Sequence, residues 1–306
     1  MNHPPAGSLR LFAPRHWPTW LGVALLWCLN QLPFRAQLGA GRALGYLLRA
    51  FGGRRKRITR TNIDLCFPEL PARERARIVR ENFASMGIAI LEMGLSWWAS
   101  DRRLRRLVTI EGLEHLEAAL QAGHGAILLS AHFTTMEIGG RLLSLYTPFR
   151  VLYREHKNPA MEYVISRGRA GFTRDAIPRD NLLAMRRSLR ENVPVWYAPD
   201  QDFGIGKGVF VPFFGIPAAT ITATSTLAKM ARSPVVPFYQ TRLPGARGYR
   251  LTLLPALTDY PGGDEAADAS RINALLESLI RAQPAQYLWA HRRFKTRPAG
   301  AAPVYD

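Results

Sequence analysis

A histidine and a glutamate follow the apolar run AILLS (residues 126–130), at the start of the next helical pattern. They are His132 and Glu137 in the segment HFTTME. An imidazole whose Nδ1 proton is held by a carboxylate presents Nε2 as a base, and such a base can remove the proton of a substrate hydroxyl. The pair therefore predicts hydroxyl activation by His132 as general base, oriented by Glu137, and needs no serine or cysteine nucleophile.

The spacing of the two residues leaves a second interpretation open. Five residues along a regular helix correspond to a rotation of about 500°, so the two side chains meet only if His132 precedes the helix. A strand-to-helix junction, where α/β sheets bind ligands, permits this. The alternative is a capping box, because Thr134-x-x-Glu137 has the form in which the glutamate only satisfies a backbone N–H. A glutamine at position 137 separates the two interpretations, since it keeps much of the box but removes the charge.

Short apolar runs and helical stretches alternate after residue 102 and predict the elements that position this pair. The patterns predict strands over residues 107–110, 126–130, 150–153, 194–197, 235–239 and 249–254. They predict helices over residues 113–122, 135–145, 159–169, 181–190, 222–231 and 271–282, after one long or kinked helix over residues 72–98. This order favours an α/β fold, in which helices cover a mixed, largely parallel sheet with some antiparallel pairing late in the chain.

The N-terminal region contains an uncharged apolar segment, residues 17–33, that is near the short limit for crossing a bilayer. It predicts a membrane-anchor helix within residues 1–34, ahead of a single α/β domain over residues 35–306. The downstream flank is strongly basic, with the run Arg54-Arg55-Lys56-Arg57, which favours a cytoplasmic position for the domain. A cleaved signal peptide and an amphipathic helix lying on the membrane surface are the alternatives.

The composition of the chain limits the classes of partner that it can bind. The chain has 306 residues with 41 lysines and arginines against 23 acids, and the resulting formal net charge of +18 attracts nucleic acid, anionic lipid or acidic protein. The basic residues are spread along the chain without a nucleic-acid reading module, so we expect no nucleic-acid partner. The only cysteines are Cys28 and Cys66, and the sequence predicts neither a disulfide framework nor a zinc site.

A glycine-rich segment, GIGKG (residues 204–208), lacks the spacing of a nucleotide-binding phosphate loop. We expect Lys207 instead to place a positive charge near a lipid phosphate, with a solvated loop lysine as the alternative. The surrounding aromatic residues, among them Phe203 and Phe210, could line a channel for an acyl chain. Core packing is the alternative for these side chains, and for Phe213 and Phe214 as well.

Three separated blocks of the chain resemble the lipid A biosynthesis lauroyl/myristoyl acyltransferases. They are residues 125–140, residues 196–222 (WYAPDQDFGIGKGVFVPFFGIPAATIT) and residues 284–300 (PAQYLWAHRRFKTRPAG). The resemblance implies a glycerol-3-phosphate-acyltransferase-like fold and an enzyme of the bacterial cell inner membrane that needs no cofactor or metal. It also implies that acyl carrier protein delivers a fatty acyl thioester to a hydroxyacyl chain of a Kdo-bearing, phosphorylated glucosamine disaccharide lipid (Kdo2-lipid IVA).

The resemblance assigns roles to four residues. His132 and Glu137 match the H-x4-E/D dyad of the family. Arg169 resembles the family arginine near the reaction centre, where a guanidinium could stabilise the thioester oxyanion or hold a lipid phosphate. Asp200 in the segment APD resembles a supporting acid that could orient Arg169 or a substrate sugar, or could cap a turn.

Two segments bear on specificity within the family. HFTTMEIGG, with its glutamate, and HRRFKTRP are similar to the lauroyl-type branch, which implies a lauroyl-like donor and the 2′ hydroxyacyl chain as acceptor. The residues by themselves leave two other functions open. One is a related phospholipid or glycerolipid acyltransferase, and the other is a hydrolase that uses the same dyad to attack lipid thioesters with water.

Overall fold

The computed structural model describes residues 11–172, 177–178 and 181–305, although the side chain of Lys207 lies outside the description. The helices of the described residues are α1 (Trp17–Asn30), α2 (Phe34–Phe51), α3 (Gly53–Cys66), α4 (Ala72–Trp98), α5 (Asp101–Arg105), α6 (Leu113–Gln121), α7 (Met136–Leu143), α8 (Pro159–Arg169), α9 (Leu182–Arg190), α10 (Ala223–Ala231) and α11 (Glu265–Ala282). The strands are β1 (Val108–Glu111), β2 (Ile127–Leu129), β3 (Arg150–Tyr153), β4 (Ile177–Pro178), β5 (Val195–Tyr197), β6 (Gly208–Phe213), β7 (Ile216–Ile221), β8 (Val235–Arg242) and β9 (Tyr249–Leu253).

One large sheet organises the described part of the chain. Its strand order is β1-β9-β8-β2-β5-β3-β4, and every neighbouring pair is parallel except β8 with β9. The predicted α/β class and largely parallel sheet are therefore confirmed. Because the parallel strands β2, β5 and β3 are adjacent, the loops that follow them lie side by side at one edge of the sheet, where ligands bind in folds of this kind.

The central strands are apolar because helices cover both faces of the sheet. Ile127 and Leu129 of β2 face one core cluster with Leu227 and Leu276, while Leu128 between them faces a second cluster that contains Ile138. All three residues of β2 are fully buried. A continuous apolar run is the expected pattern for a parallel strand in this position, and it explains why AILLS does not alternate.

Most predicted elements are found with small shifts at their ends. The strand over residues 150–153 and the helix over residues 159–169 coincide with β3 and α8. The last helix begins six residues earlier than the predicted start at residue 271, because the Asp264 side chain accepts hydrogen bonds from the Ala266 and Ala267 N–H groups and caps it. The hairpin β6–β7 was not predicted. The sequence of its residues had suggested a glycine-led loop and an aromatic channel.

The N-terminal apolar segment does not form the predicted spanning helix. It yields α1, which has 14 residues and ends at Asn30 before Pro33 separates it from α2. At 1.5 Å per residue α1 is about 21 Å long, compared with about 30 Å for the hydrocarbon core of a bilayer. None of the helices that the structure describes is sufficiently long and apolar to cross a membrane. Residues 1–10 of the predicted anchor lie outside the described residues.

The helix α2 packs against α4 rather than standing apart from the domain. The two helices cross at glycines, and a Cβ added to Gly87 of α4 would lie 2.2 Å from the carbonyl oxygen of Gly41 and 2.3 Å from the amide nitrogen of Gly45. No larger side chain fits this crossing without displacing the backbone. The sequence over residues 72–98, which allowed one helix or a kinked pair, forms the single helix α4.

Candidate active site

The loops after β2 and β5 bring His132 and Asp200 together. The two strands are neighbours in parallel register, with Leu129 opposite Tyr197 at their ends. The Ser130 N–H donates to the Tyr197 carbonyl oxygen at 2.9 Å, which extends the pairing by one more residue. His132 and Asp200 each follow three residues after the end of their strand. Their meeting is therefore a direct consequence of strand order and register.

Asp200 binds both the side chain and the backbone of His132. The His132 Nδ1 atom lies 2.7 Å from Asp200 Oδ1, and the His132 backbone N–H donates to Asp200 Oδ2 at 3.0 Å. The Tyr287 hydroxyl donates to the same Oδ2 at 2.9 Å. A carboxylate only accepts hydrogen bonds, so this pairing assigns the imidazole proton to Nδ1 and leaves Nε2 unprotonated in the neutral ring. The ring is thereby prepared to take a proton at Nε2.

Burial and charge act in opposite directions on this pair. Desolvation alone would raise the pKa of Asp200, but the positive charge of protonated His132, its hydrogen bonds and that of Tyr287 lower this pKa to about 2. Desolvation alone would lower the pKa of His132, but the charge and hydrogen bond of Asp200 raise it above the usual histidine value. Asp200 is 1% exposed and therefore stays ionised inside the protein next to a histidine that it makes more basic.

A C-terminal segment fixes the histidine loop from the other side. The Thr134 N–H donates to the Gln286 carbonyl oxygen at 2.7 Å, and the Leu288 N–H donates to the His132 carbonyl oxygen at 2.8 Å. Tyr287, which contacts Asp200, lies in the middle of this short antiparallel bridge. The block PAQYLWAHRRFKTRPAG was singled out from the sequence, but nothing in its pattern indicated a role for this tyrosine.

His132 opens into a cavity of about 850 Å³ at the carboxyl edge of the sheet. Its side chain is 27% exposed, which leaves the ring accessible. Met185 and Trp196 are buried apolar residues of the wall, whereas Arg154 and Phe203 are exposed residues that line the same space. The volume and the mostly apolar lining are those of a site for an organic ligand with a long apolar part.

Glu137 does not contact His132 in the way expected from the sequence. Its carboxylate lies in the first turn of α7 and binds Arg169, whose Nε donates to Oε1 at 2.9 Å and whose Nη2 donates to Oε2. The Trp97 indole N–H donates to Oε1 at 3.1 Å. Trp97 belongs to α4, on which α7 packs, and Arg169 belongs to α8. The helix α7 thus turns the glutamate toward these partners and leaves the His132 Nδ1 to Asp200.

The capping alternative for Glu137 is not found either. The N-cap residue of α7 is Thr135, and its side chain makes no capping hydrogen bond. The Thr134 hydroxyl lies 2.7 Å from the hydroxyl of Ser85 in α4. The glutamate is therefore part of an ion pair that joins α7 to α8, which neither sequence-based interpretation predicted.

A protein-family model described as "Bacterial lipid A biosynthesis acyltransferase" matches residues 5–296 of the chain. The chain belongs to this family. It is an O-acyltransferase of lipid A biosynthesis, and the resemblance seen in its three sequence blocks is confirmed.

Relatives from several bacteria match this acyltransferase along nearly its whole length. It is 38% identical to the lipid A biosynthesis lauroyltransferase of Escherichia coli over 306 residues, which cover 100% of both chains. It is 39% identical to the palmitoleoyltransferase of the same organism, over 97% of both chains. The Escherichia coli myristoyltransferase is 29% identical over 95% of this chain and 91% of its own length.

One solved structure, the 1-acyl-sn-glycerophosphate acyltransferase PlsC from Thermotoga maritima, aligns with 80% of this chain and 97% of its own at 12% identity. Its TM-score of 0.37 lies below the range in which a shared fold is established.

In the acyltransferase, the contacts of Arg169 differ from those that the resemblance implies. Its guanidinium stacks over the Tyr153 ring at 5.1 Å while it binds Glu137. Gly168 allows this arrangement, since a Cβ at that position would lie 2.4 Å from the Trp97 ring. The cavity wall, as far as the structure describes it, does not include Arg169. The geometry therefore favours a structural ion pair beside the site over direct contact with an oxyanion.

The structure places the other predicted substrate-binding residues in different surroundings. Phe203 lines the cavity. Phe210 is on β6 opposite Ala219 of the hairpin, and Phe213 and Phe214 belong to the core, so the predicted aromatic channel reduces to Phe203. The backbone of Lys207 ends a 3-10 turn, and its side chain lies outside the described part of the molecule.

The basic C-terminal segment is partly structural. Arg293 is buried and donates to the Ala219 carbonyl oxygen at 2.6 Å and to the Thr220 hydroxyl at 2.9 Å, so it ties the segment to β7. His291 accepts a hydrogen bond from the Asp202 N–H at Nε2, and burial lowers its pKa to about 4. This second histidine therefore stays neutral near His132 at physiological pH.

Replacing Glu137 with glutamine tests the assignment of its partner. We expect a loss of about 1–3 kcal/mol in the free energy of unfolding, because Arg169, which is 25% exposed, loses its counter-charge. We expect the acidic limb of the pH profile of kcat/KM to stay in place, because the charge next to His132 is that of Asp200. Urea unfolding at pH 7 and a pH profile measure both. A limb displaced to lower pH in Glu137→Gln would restore the glutamate as the partner of the histidine.

Proposed function

We propose that this acyltransferase transfers a fatty acyl group from acyl carrier protein to a hydroxyacyl chain of Kdo2-lipid IVA, with His132 as general base and Asp200 as the residue that orients it. The observation that carries the proposal is the environment of the imidazole. Nδ1 is bound to a buried carboxylate, and the ring borders a cavity of about 850 Å³ with a largely apolar wall.

The proposed reaction transfers the acyl group directly to the acceptor through a single tetrahedral intermediate. His132 Nε2 takes the proton of the acceptor hydroxyl as its oxygen attacks the thioester carbonyl carbon. The intermediate collapses, the carbon–sulfur bond breaks, and the leaving thiolate takes the proton from the imidazolium. The products are an ester and the free thiol, and the histidine returns to its neutral form. Asp200 stabilises the imidazolium between these two steps.

The apolar part of the cavity supports a fatty acyl ligand. Met185 and Trp196 are buried in its wall, and Leu182 and Phe203 extend the apolar lining toward solvent. Removing a dodecyl-sized chain from water provides binding energy at about 0.8 kcal/mol per CH₂ group. The binding energy of the chain can position the thioester beside His132, where proximity lowers the barrier.

A lauroyl-like donor and the 2′ acceptor chain remain the proposed specificity. The higher identity to the lauroyl and palmitoleoyl transferases, 38% and 39%, than to the myristoyltransferase, 29%, supports this branch of the family. The near equality of the first two values gives no preference between their acyl chains. One methylene in an apolar pocket changes binding by only about 1–3 kcal/mol, so one side chain in the wall can decide the preferred length.

A panel of donors tests the proposal directly. The purified full-length enzyme is supplied with C10, C12, C14, C16 and C16:1 thioesters of acyl carrier protein and a tetra-acylated Kdo-bearing acceptor. We expect a penta-acylated product and a maximum rate with C12, identified by mass spectrometry. Release of free fatty acid without acceptor acylation would assign hydrolysis instead. A maximum at another chain length would retain the transfer and reject the lauroyl preference.

The exposed face of α1 supports a location on an anionic membrane surface, which we propose to be the cytoplasmic side of the bacterial inner membrane. Trp17, Leu21 and Leu25 are spaced four residues apart and are all more than half exposed. The basic run Arg54-Arg55-Lys56-Arg57 is exposed at the start of α3 and follows the exposed Phe51. Apolar side chains beside clustered cations match the acyl boundary and the headgroups of an anionic bilayer.

Substitution of the α1 face measures this association. Leu21→Glu combined with Leu25→Glu should lower binding to vesicles that contain anionic lipid by at least about tenfold, because two apolar side chains no longer enter the bilayer. Met230→Glu is the matched control, because Met230 is an exposed apolar residue of α10. Equal sedimentation of the double variant, the control and the wild type with vesicles would reject α1 as the membrane-binding face.

A further inference from the structure

An arginine stands at the entrance of the cavity that His132 borders. Arg154 directly follows β3, and β3 pairs with β5 on the side opposite to β2. The residues after β2, β5 and β3 are therefore neighbours at one edge of the sheet. The guanidinium is exposed, and the residue lines the same cavity as His132.

Arg154 differs from the other arginines around the site because it has no side-chain partner among the described residues. Arg169 is paired with Glu137, Arg150 with Glu191 at 2.7 Å, and Arg242 with Glu92 at 2.6 Å. Throughout the described residues, Arg154 makes no hydrogen bond and no ion pair with another side chain. It is also the only lysine or arginine among the described residues that line the cavity. Among the residues that the structure describes, Arg154 is thus a cation of the cavity lining whose donors are unused.

Most of the other described residues that line this cavity are apolar. Leu182 and Phe203 line the cavity and are partly exposed, and Met185 and Trp196 are buried in its wall. A ligand that complements this arrangement has an apolar chain for the interior and an anionic group for the entrance. The planar guanidinium binds a phosphate through two parallel N–H···O hydrogen bonds, and an exposed guanidinium reaches it without a large desolvation cost.

We propose that Arg154 binds a phosphate group of a substrate at the entrance of the cavity and so positions the reacting group beside His132. The inference deepens the proposed function and rests on it. Two substrates carry the required chemistry. One is the phosphodiester of the pantetheine arm on the acyl donor, and the other is a glucosamine phosphate of the acceptor.

Steady-state kinetics of Arg154→Ala distinguish these sources. We expect the KM for the substrate whose phosphate Arg154 binds to rise at least about tenfold, with kcat within about threefold of the wild type. The KM for the second substrate should stay within about twofold. Arg154→Lys should recover part of the loss, because the charge returns without the two-pronged geometry. Arg190→Ala is the matched control, an exposed arginine in the last turn of α9 that does not line the cavity.

Substrates without phosphate identify the bound group. Acyl-pantetheine is compared with acyl-phosphopantetheine, and the bisphosphorylated acceptor with the two monophosphorylated forms. When the phosphate that Arg154 binds is removed from the substrate, Arg154→Ala and the wild type should have the same KM for that substrate. The inhibition constants of free phosphopantetheine and of the free phosphorylated disaccharide provide the same comparison without turnover.

Two results would overturn the inference. One is a KM within twofold of the wild type for both substrates, and the other is a deficit that persists after each phosphate has been removed in turn. Neither result affects the role of His132, which is judged from His132→Ala in the same assay. Full activity of that variant would instead reject the proposed function, whatever Arg154→Ala does.

Discussion

Replacing His132 with alanine is expected to lower kcat for acyl transfer by about 10²–10⁴, the usual contribution of a positioned general base. The loss should fall on kcat rather than on KM, because the imidazole acts on the hydroxyl proton and contributes little to the binding of the acyl chain. The measurement is product formation by the purified enzyme at saturating donor and acceptor.

The loop should survive this substitution. The hydrogen bond to Asp200 Oδ2 comes from the backbone N–H of residue 132, and the bond from the Leu288 N–H goes to its carbonyl oxygen. Alanine retains both. His124→Ala is the control, since His124 is an exposed histidine shortly before β2. If His132→Ala kept more than about a tenth of the wild-type kcat, the general-base role would have to be abandoned.

Asp200→Asn is expected to lower kcat on the order of 10³, because it reverses the tautomer of His132. The His132 N–H and the Tyr287 hydroxyl both donate to Oδ2, so the amide oxygen of asparagine must occupy that position. The amide NH₂ group then faces Nδ1 and donates to it. The imidazole proton moves to Nε2, where the acceptor hydroxyl should lose its proton, and the base is blocked.

The pH profile gives a second readout of Asp200→Asn. Asp200 raises the pKa of His132, so the wild-type enzyme gains activity only as the pH passes through this raised value. Without the negative charge, desolvation still acts and lowers the pKa. The acidic limb of kcat/KM should therefore move to lower pH.

Asp202→Asn is the matched control for this shift. Asp202 is also buried in the loop after β5, but its carboxylate holds the Thr296 N–H at 2.8 Å instead of a histidine. The substitution Asp202→Asn should leave the acidic limb of kcat/KM at the wild-type pH. A limb that moved equally in both variants would point to a general effect of the loop. The double variant His132→Ala/Asp200→Asn should be no slower than His132→Ala, because the aspartate acts through the histidine.

The regular elements could be predicted because their patterns are local. The strands around residues 150 and 195 and the helices α6 to α10 follow apolar periodicities that a few neighbouring residues determine. The hairpin β6–β7 could not be predicted in this way, because its two strands form only by pairing with each other. The predicted spanning helix is not found among the described residues, for a related reason. Hydropathy over residues 17–33 is continuous, but Pro33 and the packing of α2 on α4 end the helix at Asn30.

The candidate site was predictable in part. His132 was singled out from its position after a buried strand, and Asp200 from the resemblance. The suggested roles of Asp200 were to orient Arg169 or a substrate sugar, or to cap a turn, whereas the structure places its carboxylate on His132. Tyr287 and Arg154 had no local signal. Tyr287 reaches Asp200 because its segment forms a bridge to the histidine loop, and Arg154 acquires its position only when β3 is placed beside β5.

The sequence by itself determined the class of fold and the family, and it singled out His132 as the candidate general base. Each depends on local periodicity or on motifs that keep their order along the chain. Only the tertiary structure decided which carboxylate the histidine binds. Glu137 is five residues away from His132, but α7 turns it toward α4 and α8. Asp200 is 68 residues away, yet β2 and β5 are adjacent parallel strands in register, so the residues that follow them meet within hydrogen-bonding distance.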